Sequence, residues 1–319
     1  MTATRNDQQY VGISISDSGV RSALVAGTGE VIREARFDSR QDARQLCDKA
    51  VEVVGGLGGS GVSLAGIGIC VPGLVNRQTA RVEVAPNLPG LVEIDLVNEV
   101  GTAAGLPVIL DNDANAAAYG EFQSGAAQGR RNVFFVSLGD GVGSGIIIEG
   151  EVYRGASGFA GEFGHITIDP EGFECACGNI GCLETFASAP NIVRRTRERL
   201  YRDRTSSLSR LAVPRDREFT AEDIAHAAHQ GDEMAVLMME RTGMFLGIGL
   251  AAVINLLSVD TIVLGGAIME AGPLILNAAV KEARRRAFPP CFNGCEIVLA
   301  RLGSSAPLIG AAMMARDRP

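Results

Sequence analysis

An α/β protein built of two related halves is what this chain of 319 residues predicts. Three observations lead there: short apolar strands are followed by helical segments, glycine-rich and polar motifs stand at the strand ends, and the pattern restarts near residue 132. Residues 10–15, 21–25 and 31–37 read as strands joined by Gly and Ser turns, a meander leading into a helix over 41–54. An apolar strand at 66–71 stops at Pro72-Gly73. Another at 107–110 runs straight into Asp111-Asn112-Asp113, where an alanine-rich helix over 114–122 begins. In the second half, 132–138, 143–149 and 151–154 read as strands, helices follow, and a buried strand at 260–264 ends at Gly265-Gly266. Polar residues at strand ends are where α/β sheets hold ligands, so a cleft between two lobes is expected. The first lobe spans 1–113 and is completed by a terminal helix at 306–315, within a returning segment of about 304–319; the second spans 114–303.

With 46% hydrophobic and 21% charged residues, the composition is that of a globular protein of ordinary domain size. Forty glycines and no tryptophan point to many tight turns and close backbone approaches, as loops that hold a ligand require. A net charge of −8 argues against general nucleic-acid binding. Nine arginines between Arg194 and Arg217 form one basic stretch, but Glu198, Asp203 and Asp216 are interspersed, so it reads as a solvated face or insertion. The apolar run at 248–257 is too short to span a membrane and continues a helical pattern from Glu233. No signal peptide precedes the first strand, so Cys47, Cys70, Cys291 and Cys295 are expected as reduced thiols in a cytoplasmic protein.

Residues 162–184 concentrate the chemistry. One histidine and three cysteines stand between two glutamates, in a chain with only three histidines. His165, Cys175, Cys177 and Cys182 supply the Cys₃His set that satisfies tetrahedral zinc, with Gly178 and Gly181 permitting the tight turns. Four protein ligands leave no open position for water, so the metal is expected to be structural. A zinc knot would also fix Glu162, Glu184 and the outer nitrogen of His165 around one small volume, which suits a polyhydroxylated ligand. Asp113, alone, reads as the cap of its alanine-rich helix. Beside Asn112 and the two glutamates it reads as a base for a hydroxyl proton, with Asn112 orienting that hydroxyl. Asp111 is less specific and reads as solvated.

The segments GIGICVPGLVN, APNLPGL, LDNDANAAAYGE, LGDGVGSGIIIEGEVYRGASGFAGEFGH, CACGNIGCLE, IVLGGA and LGSSAPLIGAA occur in that order. Together they resemble the ROK family of sugar kinases and sugar-responsive repressors over nearly the whole chain. The resemblance implies a two-lobed, duplicated ribonuclease H-like fold of the actin and hexokinase type, with a zinc-binding loop, and a homodimer assembled through helices of the second lobe. It implies that Asn87, Asn112, Asp113, Glu162, His165 and Glu184 contact a sugar. Gly139, Gly141 and Gly143 would form a phosphate loop, and Gly265 and Gly266 would lie against the adenosine of ATP, with Mg²⁺ as its companion.

Two departures stand out. Kinases of the family open near Asp-Ile-Gly-Gly-Thr-Lys, where the acid organises magnesium and the glycines admit phosphate oxygens. Here Ser14 replaces the acid, Ser16 and Asp17 replace the glycines, and Gly19 replaces the lysine. In the second phosphate loop Asp140 stands where the kinases commonly carry threonine, and its carboxylate would repel a γ-phosphate unless a cation intervened. That glycine run is no dinucleotide fingerprint, since a strand follows where a helix is needed, and no Gly-x₄-Gly-Lys-Ser/Thr loop occurs. Repressors of the family carry a helix-turn-helix region before the first strand; nine residues precede Tyr10, too few for one, so operator binding by this chain alone is not expected. The expected function is an ATP-dependent kinase of a hexose or N-acylhexosamine with a degenerate phosphate loop. The alternative is a non-catalytic sugar sensor.

Overall fold

The computed structural model describes residues 5–38, 42–57, 64–202, 205–211 and 219–318. Alternating apolar residues build β1 (Gln9–Ser16), β2 (Gly19–Ala26) and β3 (Val31–Asp38), joined by short turns, and α1 (Ala43–Leu57) follows. The predicted helix start at Gln41 lies outside the described residues. Next come β4 (Leu64–Val71) and a small ribbon, β5 (Leu74–Asn76) with β6 (Arg81–Val84). Helix α2 (Leu96–Ala104) is opened by Asp95, whose side chain accepts from the Asn98 N–H, and closed by Gly105 in the left-handed region. It leads to β7 (Val108–Asn112) and α3 (Asp113–Ser124).

The second half supplies β8 (Val133–Leu138), β9 (Val142–Ile148), β10 (Glu151–Val152), α4 (Glu184–Ala187), α5 (Ala189–Leu200) and α6 (Leu208–Leu211). Helix α7 (Ala221–His229) begins with a reciprocal capping box between Thr220 and Asp223. The chain then forms α8 (Glu233–Leu257), β11 (Thr261–Gly265), α9 (Pro273–Arg286), α10 (Pro289–Asn293), β12 (Glu296–Leu299) and α11 (Ala306–Arg316).

One five-stranded sheet has the order β3-β2-β1-β4-β7, with β1, β2 and β3 antiparallel and β4 and β7 parallel to β1. The other has the order β10-β9-β8-β11-β12, with β11 parallel to β8 and β12. In each, a meander of three successive strands is extended on the side of its first strand by two later parallel strands. The chain divides into two compact units. The first comprises Met1–Arg131, Gly145–Ala160 and Ser304–Pro319, and the second Asn132–Ser144 and Gly161–Gly303. Where the polar strand end suggests a boundary at Asp113, the structure keeps α3 in the first unit, because α3 packs along α11.

In the first unit Val11, Ile13, Ile15, Leu46, Ile67 and Leu91 form a fully buried core. Helix α11 approaches the sheet and α3 by backbone. A Cβ on Gly68 would lie 1.9 Å from the Ala311 carbonyl oxygen, and one on Gly310 would lie 1.7 Å from that of Ala116. Neither oxygen can retreat without breaking its own helix. In the second unit α8 packs on α9, with Met238, Leu246, Leu250 and Ile254 buried. Its 25 residues correct the expectation that no apolar segment reaches spanning length. By length and composition α8 is sufficient, but 61% of its apolar window is buried as core helix.

Of the arginine-rich stretch, residues 203–204 and 212–218 lie outside the described residues. On α5, Arg194 pairs with Glu198 and stacks 3.6 Å over Phe173, while Arg197 lies over Phe219. Replacing Gly310 with Ala is expected to destabilise the protein by about 2–3 kcal/mol through backbone overpacking, read as a lower midpoint in urea denaturation.

Candidate functional site

Strand β7 delivers three polar residues to one corner of the first unit. Its last ladder pairs are Cys70 with Asp111 and Val71 with Asn112, so the sheet fixes the backbone up to Asn112. Asn112 is the helix cap. Its Oδ1 accepts from the Ala114 N–H at 2.8 Å and the Asn115 N–H at 3.1 Å, and its Nδ2 donates to the Gly73 carbonyl at 2.9 Å. The capping role that residue type assigns to Asp113 therefore falls one position earlier. Asp113 becomes the first helical residue, and its Oδ1 accepts from the neighbouring Ala114 N–H, at 2.8 Å.

Asp113 retains some accessible surface but lies amid enough protein that desolvation pushes its carboxyl up to about 6, against the opposing pull of the Ala114 and Asp113 backbone N–H groups. Asp111 is not solvated as expected; it is 2% exposed. Its Oδ2 accepts from Arg154 Nε at 3.0 Å and Nη2 at 2.6 Å and from Arg77 Nη1 at 3.3 Å. Its Oδ1 accepts from Asn115 Nδ2 at 3.1 Å and the Asn112 N–H at 2.9 Å. A buried carboxylate is tolerated only with partners of this kind, and its partners come from segments too distant in sequence for local pattern to reveal. Asn87 stands exposed in the turn between β6 and a short 3₁₀ segment, Pro89–Glu93.

In the second unit His165 closes a 3₁₀ turn, Phe163–His165, and the loop beyond it folds back through bridges pairing Thr167 with Cys182 and Glu174 with Ile180. Gly178 and Gly181 both have positive φ, and a Cβ on Gly181 would lie 1.5 Å from the Asp169 carbonyl oxygen. The donor atoms of His165, Cys175, Cys177 and Cys182 all lie within 4.8 Å of one another. Cys177 and Cys182 sulfurs are 3.7 Å apart, and Cys175 sulfur is 3.6 Å from His165 Nδ1. A tetrahedron with Zn–S bonds of about 2.3 Å has sulfur–sulfur edges of about 3.8 Å, so the cluster fits zinc. With no cation bound, burial and the neighbouring sulfurs push the Cys182 thiol up to about 12. His165 turns Nδ1 toward the sulfurs, which leaves Nε2 facing Glu162 Oε2 at 3.9 Å. Partial burial, with a smaller push from Glu184, raises the Glu162 carboxyl, while His165 opposes the shift.

Glu184 opens α4, and its Oε2 accepts from the Val142 N–H at 2.9 Å. It thereby holds the Gly139–Gly141–Gly143 loop, whose Gly139 carbonyl accepts from the Ala189 N–H. Gly266, at φ +92°, presses on the end of β8, where a Cβ would lie 2.2 Å from the Leu138 carbonyl oxygen. Both glycine motifs singled out in the sequence thus meet in one unit. Just beyond Gly266 lies a cavity of about 240 Å³ lined by Glu222, His226, His229, Ala267 and Ile268 among others. The α7 histidines escape sequence reasoning, their only signal being an i,i+3 repeat about forty residues before Gly265. The departures hold in space: Asp17 and Ser18 form the exposed hairpin turn between β1 and β2, and Asp140 is exposed.

A sheet pair of this order, the polar corner, the Cys₃His loop and the paired glycine motifs define a class. The chain belongs to the ROK family, whose model matches residues 10–318. It is 33% identical to a glucokinase of Halalkalibacterium halodurans over 98% of this chain and 96% of that protein. It is 35% identical to the xylose repressor of Bacillus subtilis over 80% of this chain and 62% of the repressor. A ROK glucokinase from Streptomyces griseus, solved with glucose and AMPPNP, superposes with a TM-score of 0.84 at 32% identity, covering 97% of this chain and 99% of that one.

Two outcomes follow from the geometry. Because burial raises Asp113, the folded chain holds this proton more tightly than the unfolded chain does. The stability it contributes is full below about pH 4 and lost as pH climbs through about 6. Asp113→Asn should therefore raise Tm by several degrees at pH 8, a gap of about 3 kcal/mol at most that closes at pH 4. Cys177→Ser should lower both bound zinc and Tm, with elemental analysis giving about one zinc per wild-type chain and far less in the variant.

Proposed function

We propose that this chain is an ATP-dependent kinase of a hexose or N-acylhexosamine, with glucose the first candidate, built on a two-lobed duplicated ribonuclease H-like fold. The observation that carries the reading is the division of labour at the β7–α3 corner. Asn112 satisfies the helix end, which leaves Asp113 with local backbone partners alone, an elevated pKa and a carboxylate oxygen to spare. Such a group is ionised at neutral pH yet basic enough to accept a proton from a sugar hydroxyl as it attacks a phosphoryl group. Matching strand orders in the two sheets support the duplicated fold, and similarity to glucokinases along nearly their full length supports the reaction class.

In this reading Asn87, Asn112, Asp113, Glu162, His165 and Glu184 contact the sugar, with His165 presenting the Nε2 edge that faces away from the sulfurs. Zinc held by His165, Cys175, Cys177 and Cys182 is structural. The Gly139–Gly143 loop and Gly265-Gly266 receive ATP. Magnesium, when bound, neutralises charge on the nucleotide phosphates. Its usual carboxylate is Ser14 here and Asp17 lies on an exposed turn, so the residues present do not reproduce that magnesium position. The protein acts in the cytoplasm as a homodimer joined through the second unit.

The second reading, a sugar sensor without phosphoryl transfer, is favoured by Ser14, Gly19 and Asp140 and by the similarity to a xylose repressor. ADP release with magnesium-ATP, measured across hexoses and N-acylhexosamines, separates the two. A kinase gives sugar-dependent turnover that rises through about pH 6 as Asp113 ionises and drops at least a hundredfold in Asp113→Asn. Sugar-induced thermal stabilisation with no turnover and no response to ATP identifies the sensor instead.

A further inference from the structure

Resting on the reading of Asp113 as the base, we propose that Asp111, gripped by Arg154 and Arg77, is the positioning residue that sets where the Asp113 carboxylate points. The sheet ladder ends at Asn112, so nothing in β7 itself orients the next side chain. Asp111 reaches past that end. Its Oδ1 binds the Asn112 N–H, one residue before Asp113, and the side chain of Asn115, two residues after it. One carboxylate thus spans both sides of the base.

Its other oxygen is immobilised by guanidinium geometry. Arg154 places Nε and Nη2 on the same Oδ2 and turns Nη1 to the Val152 carbonyl at 3.1 Å, so the plane of the fork is fixed at three points. Lysine carries the charge but not the fork. A buried ion pair is a weak source of net stability compared with apolar residues of similar volume; what it supplies is one defined geometry. Asn115 Oδ1 is buried with no partner among the described residues. Burial raises the thiol of Cys70, fully buried on β4, and the charges of Asp113 and Asp111 raise it further, which keeps it protonated beside them.

The test uses the intact chain carrying Arg154→Lys or Arg154→Met, assayed for kcat and KM with glucose and magnesium-ATP. Asp113 is titrated separately by carbon-13 NMR, with Asp113→Asn assigning the resonance. Loss of orientation should lower kcat about tenfold in Arg154→Lys and about a hundredfold in Arg154→Met, with the sugar KM changed less than about threefold. In Arg154→Lys, which keeps the charge, the Asp113 pKa should fall by about one unit as water enters the corner. Wild-type kcat and an unmoved Asp113 titration in the folded variants would overturn the proposal, as would a loss of kcat equal to the fraction unfolded by circular dichroism. If the wild-type chain transfers no phosphoryl group, the kinase reading fails by itself, and the titration in Arg154→Lys still decides this inference.

Discussion

A carboxylate that the fold has almost closed off from water must find cations, and in this protein that demand organises the polar corner of the first unit. Asp111 stands one residue from the end of β7, and removing both of its arginines would leave a buried charge unpaired at a cost of about 3–5 kcal/mol. Arg77 arrives from the turn between β5 and β6, and Arg154 from the end of β10. Neither is near Asp111 in sequence. The requirement to neutralise one charge therefore recruits separate segments to the strand end, and Asn112 and Asp113 inherit a fixed frame from it.

The second unit solves a similar problem by other means. Its reactive loop has little regular structure and a surface too small for a core of its own. Sulfur and nitrogen donors there stand at a spacing that would let one bound cation hold the loop in place of apolar packing. Glu184 extends that rigidity to the glycine loop through a single bond to the Val142 N–H. Gly266 abuts the base of the same loop, leaving it little freedom at either end.

Much of this was legible in the residues. Short apolar runs bounded by Gly, Pro and polar turns located β1 to β4, β7, β8 and β11 to within a few positions, because a strand buried on both faces is written as a continuous apolar run. The Cys₃His set was legible because its ligands are close in the chain and chemically unmistakable. What escaped depends on long-range geometry. Asp111 looks solvated when read beside Asn112 and Asp113, since its arginines lie 34 and 43 residues away. Residue type alone could not decide between Asn112 and Asp113 as the cap, because both are good caps and the choice depends on where β7 ends. The α8 segment was read as a short apolar run because Glu240 and Arg241 interrupt its hydropathy, although neither interrupts the helix.

The first unit is assembled from three stretches of chain, and its last stretch contains α11, which lies against both β1 and α3. Translation runs in the other direction. When the meander and α3 emerge, the helix that fills the groove at Gly12, Gly68 and Gly120 has not been made, and the whole second unit must be synthesised first. A nascent chain therefore exposes an uncovered sheet face for roughly ten seconds or more at ordinary elongation rates. The amino-terminal half of this protein therefore cannot complete its packing until the last stretch of the chain has been made.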